Sequence, residues 1–158
     1  MAIPDKIKVS YLADYHTENV GRHGDDDGQF MAFVVATLPE IFASDWQKHK
    51  RWYAVLHTFD TDGHHVNTDA RFAGVTADGE DQVAERAWGW IEEMLAALGP
   101  ITREDIEVRL FSVQVDGRAF GLLDTSHISE DDGTIYETVT LLPNDFVFTD
   151  PWDGDYDT

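Results

Sequence analysis

The fold follows from the stretch WYAVLHTFDTDGHHVNTDARFAGV, residues 52–75. Asp62-Gly63 favours a two-residue β-turn, so the segments Trp52–Asp60 and His65–Val75 are predicted to form a hairpin. In that register Asp60 lies opposite His65. One face of the hairpin is then apolar and holds Tyr53, Val55, Phe59, Val66, Ala70 and Phe72. The other face is polar and holds Thr58, Asp60, His65, Asn67 and Asp69.

A long helix is predicted directly after this hairpin, over about residues 79–98. Asp78 is a suitable N-cap residue, and Gly99-Pro100 ends the helix. Apolar residues recur at helical spacing and form a broad stripe that would cover a sheet. The stripe consists of Val83, Ala84, Ala87, Trp88, Trp90, Ile91, Met94, Leu95 and Leu98. A shorter helix is predicted after Thr37-Leu-Pro-Glu40, which has the form of a capping box.

Further strands are predicted on both sides of these elements. Ile7 to Tyr11 alternates between apolar and polar residues, and Phe30 to Ala36 is continuously apolar. Residues 106–115 are predicted to form one strand with a bulge or strong twist, because the apolar positions change parity at Phe111. Asp116-Gly117 predicts a second two-residue hairpin turn after it. We therefore expect an α+β fold with a twisted, mainly antiparallel sheet of about six or seven strands, covered by one long and one short helix. No repeat or linker divides the sequence. Residues 1–158 are expected to form one domain with an acidic, aromatic C-terminal tail at about 144–158.

Negative charge is the most unusual feature of the composition. Eleven Lys and Arg side chains are set against thirty-one Asp and Glu, which gives a formal net charge of −20. Such a field repels nucleic acids and anionic membranes and attracts basic proteins. We therefore expect a basic protein partner, no nucleic acid and no membrane. The alternative is that the acids only keep the domain soluble. No apolar run follows Met1, so we expect no leader peptide and a cytoplasmic location.

The sequence contains no recognisable catalytic motif. Cysteine is absent, which excludes disulfides and thiolate metal sites. An HExxH helix, a GxSxG elbow and a phosphate-binding loop are also missing, and no cofactor is expected. His65 and Asp69, on the predicted polar face of the hairpin, are the candidate ligands for a weakly held metal ion. A hydrogen-bonded surface is the simpler interpretation of the same residues.

The C-terminal tail gives the candidate partner-binding residues. Aromatic side chains alternate there with acids, an arrangement in which the rings provide contact area and the acids steer a basic surface. The residues chosen on this basis are Asp150, Trp152, Asp153, Asp155 and Tyr156. The alternative is that the tail packs against its own domain and leaves its acids in solvent.

In size, acidity, lack of cysteine and α+β character, the chain resembles the immunity proteins of bacterial toxin systems. Those proteins block cognate toxins that are often basic nucleases. The resemblance rests on general character, so no site residue is carried over from it. It implies an acidic protein-binding domain that inhibits a basic toxin or enzyme. Two other functions stay open from the sequence: a small metal-dependent hydrolase with a His/Asp site, and an accessory structural domain or homodimer.

Overall fold

The computed structural model describes residues 3–11, 18–24, 28–38, 44–149 and 152. These residues form three layers: one α-helix, a five-stranded sheet and a four-stranded sheet. Neighbouring strands in both sheets are antiparallel. The expected α+β character and the predominance of antiparallel strands are therefore confirmed.

The five-stranded sheet is the middle layer. Its strands are β2 (Val20–His23), β3 (Gly28–Thr37), β4 (Arg51–Phe59), β5 (His65–Val75) and β6 (Ile101–Arg103). They lie side by side in the order β5-β4-β3-β2-β6. Helix α1 (Glu80–Ala97) covers one face of this sheet.

The four-stranded sheet covers the other face. Its strands are β8 (Phe111–Val115), β9 (Arg118–Asp124), β12 (Thr138–Leu142) and β13 (Phe146–Thr149), in the order β13-β12-β9-β8. Two short ribbons complete the structure. One pairs β1 (Ile7–Val9) with β7 (Ile106–Val108), and the other pairs β10 (His127–Ile128) with β11 (Ile135–Tyr136).

Strands β3 and β4 are buried on both faces, as the continuous apolar run from Phe30 to Ala36 indicated. Alternate residues, such as Phe30 and Leu56, pack under α1. The residues between them, such as Phe33 and Val55, pack against the four-stranded sheet. This double burial is the reason that the chain needs two separate covering layers.

The expectation of one sheet with two helices is wrong. Thirteen strands occupy several sheets, and α1 is the single α-helix among the described residues. The predicted strand over residues 106–115 is in fact β7 and β8, because the chain leaves one sheet and enters another at Arg109 and Leu110. At the predicted short helix, the structure has only a 3₁₀ turn, Trp46–Lys48, while residues 39–43 lie outside the described residues.

The central hairpin has the predicted partners over most of its length but not at its turn. Tyr53 pairs with Phe72 and Val55 with Ala70, whereas a register shift after Thr58 sets Phe59 opposite His65. The shift arises because the Asp60 carboxylate accepts hydrogen bonds from the backbone N–H groups of Asp62 and His64, which widens the loop. As a result the predicted pairing of Asp60 with His65 is wrong, and Val66 is 64% exposed instead of buried.

Among the described residues, the structure contains no helix with the length and apolar character needed to span a bilayer. Helix α1 instead carries Glu80 and Asp81 in its first turn. Acids at that position suit the positive end of the helix dipole.

Substitutions at two glycines test the geometry of the sheet and of the helix. Gly121 in β9 has φ of 144°, and a Cβ there would lie 2.2 Å from the Phe111 carbonyl oxygen. Gly121→Ala should lower the free energy of unfolding by about 1–3 kcal/mol. Gly89 in α1 has nothing within 4 Å of an added Cβ, so Gly89→Ala should raise it by about 0.5–1 kcal/mol. Urea unfolding of both variants measures the difference, and equal effects would contradict the described register.

Candidate functional site

The two predicted metal ligands lie on opposite faces of β5. His65 stacks on Phe111 with ring centroids 4.6 Å apart and shares a hydrogen bond with Thr68, between the two sheets. Asp69 pairs with Leu56 in the register of the sheet, and its two carboxylate oxygens accept hydrogen bonds from Arg71. The expectation of a shared face is therefore wrong, because the register shift turns His65 over. Within the described ranges, no group of His, Asp or Glu side chains is arranged to hold a metal ion.

Buried His57 and half-buried His65 and Thr68 form a small hydrogen-bonded network. The Thr68 hydroxyl lies 2.7 Å from His57 Nδ1 and 2.7 Å from His65 Nε2. Because a hydroxyl has one hydrogen, it donates to one imidazole and accepts from the other. His57 is fully buried beside Phe33 and Phe111, and its Nε2 has no hydrogen-bond partner in the described part of the chain. Burial, together with the smaller effect of the nearby charge of His65, lowers the pKa of His57 to about 3. The network is thus a neutral structural element of the core.

The aromatic residues of the predicted tail that the structure describes are buried. Phe146 and Phe148 of β13 are core residues with ring centroids 4.6 Å apart. Trp152 is 9% exposed and packs in the same core. The other four predicted residues, Asp150, Asp153, Asp155 and Tyr156, lie outside the described residues. The alternation in Phe146-Val-Phe-Thr149 is the sequence signal for a half-buried strand that the partner-binding interpretation missed.

A different segment exposes apolar side chains among acids. Residues 124–137, called the acidic hairpin from here on, contain β10, β11 and the loop between them. Ile128 and Ile135 face each other across the two strands and are 65% and 66% exposed. Tyr136 beside them is also exposed and stacks on His127 with centroids 5.4 Å apart. The segment holds five carboxylates and no Lys or Arg: Asp124, Glu130, Asp131, Asp132 and Glu137.

Local hydrogen bonds fix the shape of the acidic hairpin. At its base, the Thr125 hydroxyl lies 2.7 Å from that of Thr138 and 2.8 Å from that of Thr140, on β12. At its tip, the Ser129 N–H donates to the Thr134 carbonyl at 2.8 Å. The Asp132 carboxylate accepts from the Thr134 N–H, and that bond lowers the pKa of Asp132 and keeps it ionised. A surface held in one conformation loses less entropy when it binds.

A second acidic surface lies on the outer side of α1. Trp88, predicted to be part of the covering stripe, is 43% exposed. Asp81, Glu85 and Glu92 stand seven, three and four residues from it, so they share its helix surface. These four residues are called the acidic helix face. The sequence gives no clear signal for this exposure, because Trp88 lies at the edge of the apolar stripe rather than outside it.

No protein-family model matches the chain, and no curated protein and no solved structure matches it either. The function must therefore be inferred from the surface itself. Of the two acidic surfaces, the hairpin exposes a pair of aliphatic side chains, Ile128 and Ile135, whereas the helix face exposes the single ring of Trp88.

The burial of His57 predicts how the free energy of unfolding depends on pH. The ordinary pKa of His is about 6.5 and that of folded His57 is about 3, so between these values the unfolded chain binds a proton that the folded chain does not. The contribution of His57 is therefore fully present above pH 6.5 and is lost as the pH falls towards 3, at up to about 1.4 kcal/mol per pH unit. Urea unfolding of the protein and of His57→Leu from pH 7.5 to 4.5 measures this loss, which the variant should lack.

The imidazole resonances of His57 provide the control for that measurement. They should not titrate between pH 7.5 and 4.5 while the protein stays folded. A His57 titration midpoint near pH 6, or the same pH slope in the variant, would show that the site is not the dry one described.

Proposed function

We propose that this chain is a protein-binding domain that captures a basic partner through the acidic hairpin. The observation that carries the proposal is the directly paired, two-thirds exposed Ile128 and Ile135 within a segment of five carboxylates. Exposed aliphatic pairs of this kind are uncommon on a surface that meets only water, and they mark contact sites for other molecules. The surrounding charge selects a partner of the opposite sign.

The acids and the apolar side chains of the acidic hairpin have different roles in the proposed binding. The acids attract a basic surface over a distance of about 8–10 Å in physiological salt and so raise the rate of encounter. Ile128, Ile135 and Tyr136 then lose their water against the partner, and this contact slows dissociation. Because the tip and base are held by hydrogen bonds, the surface meets the partner in the conformation that it already has.

The proposal retains the basic partner expected from the net charge and moves the contact away from the tail. Trp152 is packed in the core, and its indole ring would have to leave that core to touch another protein. The hairpin needs no such rearrangement. An inhibitor of a basic toxin or enzyme, the class that the sequence resembles, is the specific form of this function that we favour.

Site-specific photocross-linking in the source cells tests the contact directly. A benzophenone side chain replaces Ile128 in one variant and Val147 in a control variant. Val147 is an exposed apolar residue of β13, outside the hairpin. We expect position 128 to cross-link one basic protein that position 147 does not, with a yield that falls as salt is raised. The same products at both positions, or a cross-link between two copies of this chain, would contradict the proposal.

Paired charge variants separate a local contact from the effect of total charge. The hairpin variant Glu130→Gln/Asp131→Asn/Asp132→Asn and the helix variant Asp81→Asn/Glu85→Gln/Glu92→Gln each remove three negative charges. With the cross-linked partner, the hairpin variant should lower the association rate on the order of 10-fold at low salt. The helix variant should change that rate less than about threefold. Equal effects in stopped-flow or surface-plasmon measurements would mean that only net charge matters.

The aliphatic pair has a different kinetic signature. Ile128→Ser/Ile135→Ser should raise the dissociation rate on the order of 10-fold or more, because each buried Ile contributes about 1.5–3 kcal/mol. The association rate should change little, since the acids remain. A fold check by circular dichroism accompanies the measurement, and an unchanged dissociation rate would remove the two isoleucines from the interface.

A further inference from the structure

A concave surface lies where the C-terminal turn of α1 meets β4 and β5. It is a cleft of about 330 Å³, at the lower end of the sizes found for small-molecule sites. Leu56 and Met94, both buried, form its floor together with Leu98. Val66, which the register shift leaves 64% exposed, forms part of its wall. The cleft therefore has a largely apolar interior.

The rim of this cleft has an excess of negative charge. Asp60 and Asp69 both line it, and Arg71 is the one Lys or Arg among the lining residues. Arg71 is already bound to Asp69 and lies 3.8 Å from the carboxylate of Glu93. Asp60 accepts two backbone hydrogen bonds, and the one from His64 in particular lowers its pKa, so this carboxylate stays ionised.

The end of the helix adds to the same potential. The last turn of α1 contains no basic residue, so no side-chain cation compensates the partial negative charge of its carbonyl groups. Ala97, in that turn, lines the cleft and is exposed, whereas Ala96 is exposed but does not line it. An apolar interior thus lies beside a negative rim and the negative end of a helix.

We propose that this cleft binds a small organic cation, namely a primary amine that carries a hydrocarbon body. The hydrocarbon part would lie against Leu56, Met94 and Leu98, and the ammonium group would lie at the rim near Asp60. An anion of the same shape is repelled by the rim, and a neutral alcohol lacks the charge attraction. The site shares no residue with the acidic hairpin, so this proposal can be tested independently of the proposed protein binding.

Three probes of nearly the same shape test the inference: cyclohexylmethylamine, cyclohexylmethanol and cyclohexanecarboxylate. Each is titrated into the protein at pH 7 and followed by backbone amide chemical shifts. We expect saturable binding of the amine with a Kd on the order of 1 mM. The shift changes should concentrate at residues 66–69 and 94–98. The alcohol should bind at least 10-fold more weakly and the carboxylate not measurably. Equal binding of all three probes, or no saturation by the amine, overturns the proposal.

Two neighbouring alanines provide matched variants. Ala97→Leu projects a larger side chain into the cleft and should weaken binding of the amine more than 10-fold. Ala96→Leu places the same side chain on the adjacent exposed position and should leave Kd within twofold. Asp60→Asn retains an acceptor for the backbone of the turn but removes the charge, so the affinity for the amine should fall to that for the alcohol. Similar losses in the two alanine variants, or full affinity in Asp60→Asn, would exclude the site.

Discussion

The burial of β3 and β4 on both faces is the constraint on which the rest of the structure depends. Two adjacent strands with apolar side chains on both sides cannot meet water on either side, so the chain supplies a helix for one face and a second sheet for the other. Packing of the helix and the second sheet against these strands uses most of the apolar residues. The acids are left on the outer surfaces, where they remain hydrated, and the few exposed apolar residues beside them become informative about binding.

The same constraint explains the two histidines between the sheets. His57 occupies a position in β4 that faces Phe111 of the four-stranded sheet, and its side chain is fully buried. Its imidazole can stay there only in the neutral form, with Thr68 as its hydrogen-bond partner. His65 reaches the same layer because the loop held by Asp60 shifts the register of β5. His65, one of the two residues that suggested a metal site in the sequence, thus packs against Phe111 of the other sheet, while Asp69 lies on the opposite face of β5.

The parts of the fold that depend on local patterns could be predicted, and the parts that depend on distant contacts could not. Helical spacing placed α1 within one or two residues of its bounds, and Asp-Gly turns placed both long hairpins. Sequence spacing could not show that the strand predicted over residues 106–115 divides between two sheets, since only packing decides which sheet each half joins. It also could not separate Trp88 from its buried neighbours on α1, or show that Trp152 packs in the core. For the candidate site, the net charge led us to expect a basic partner, which stays a prediction, but no sequence pattern pointed to the hairpin that we propose as its contact.

Local surface chemistry, rather than the total charge of −20, is the centre of the functional proposal. An evenly distributed charge would attract any cation alike. Exposed aliphatic side chains on the acidic hairpin, which hydrogen bonds hold in one conformation, select one contact geometry. Amide hydrogen exchange, measured on the protein with and without its cross-linked basic partner, tests the proposed contact at the acidic hairpin most directly. We expect slower exchange over residues 127–136 in the complex, beyond any change in α1. Protection confined to α1, or no protection at all, would contradict the proposed contact.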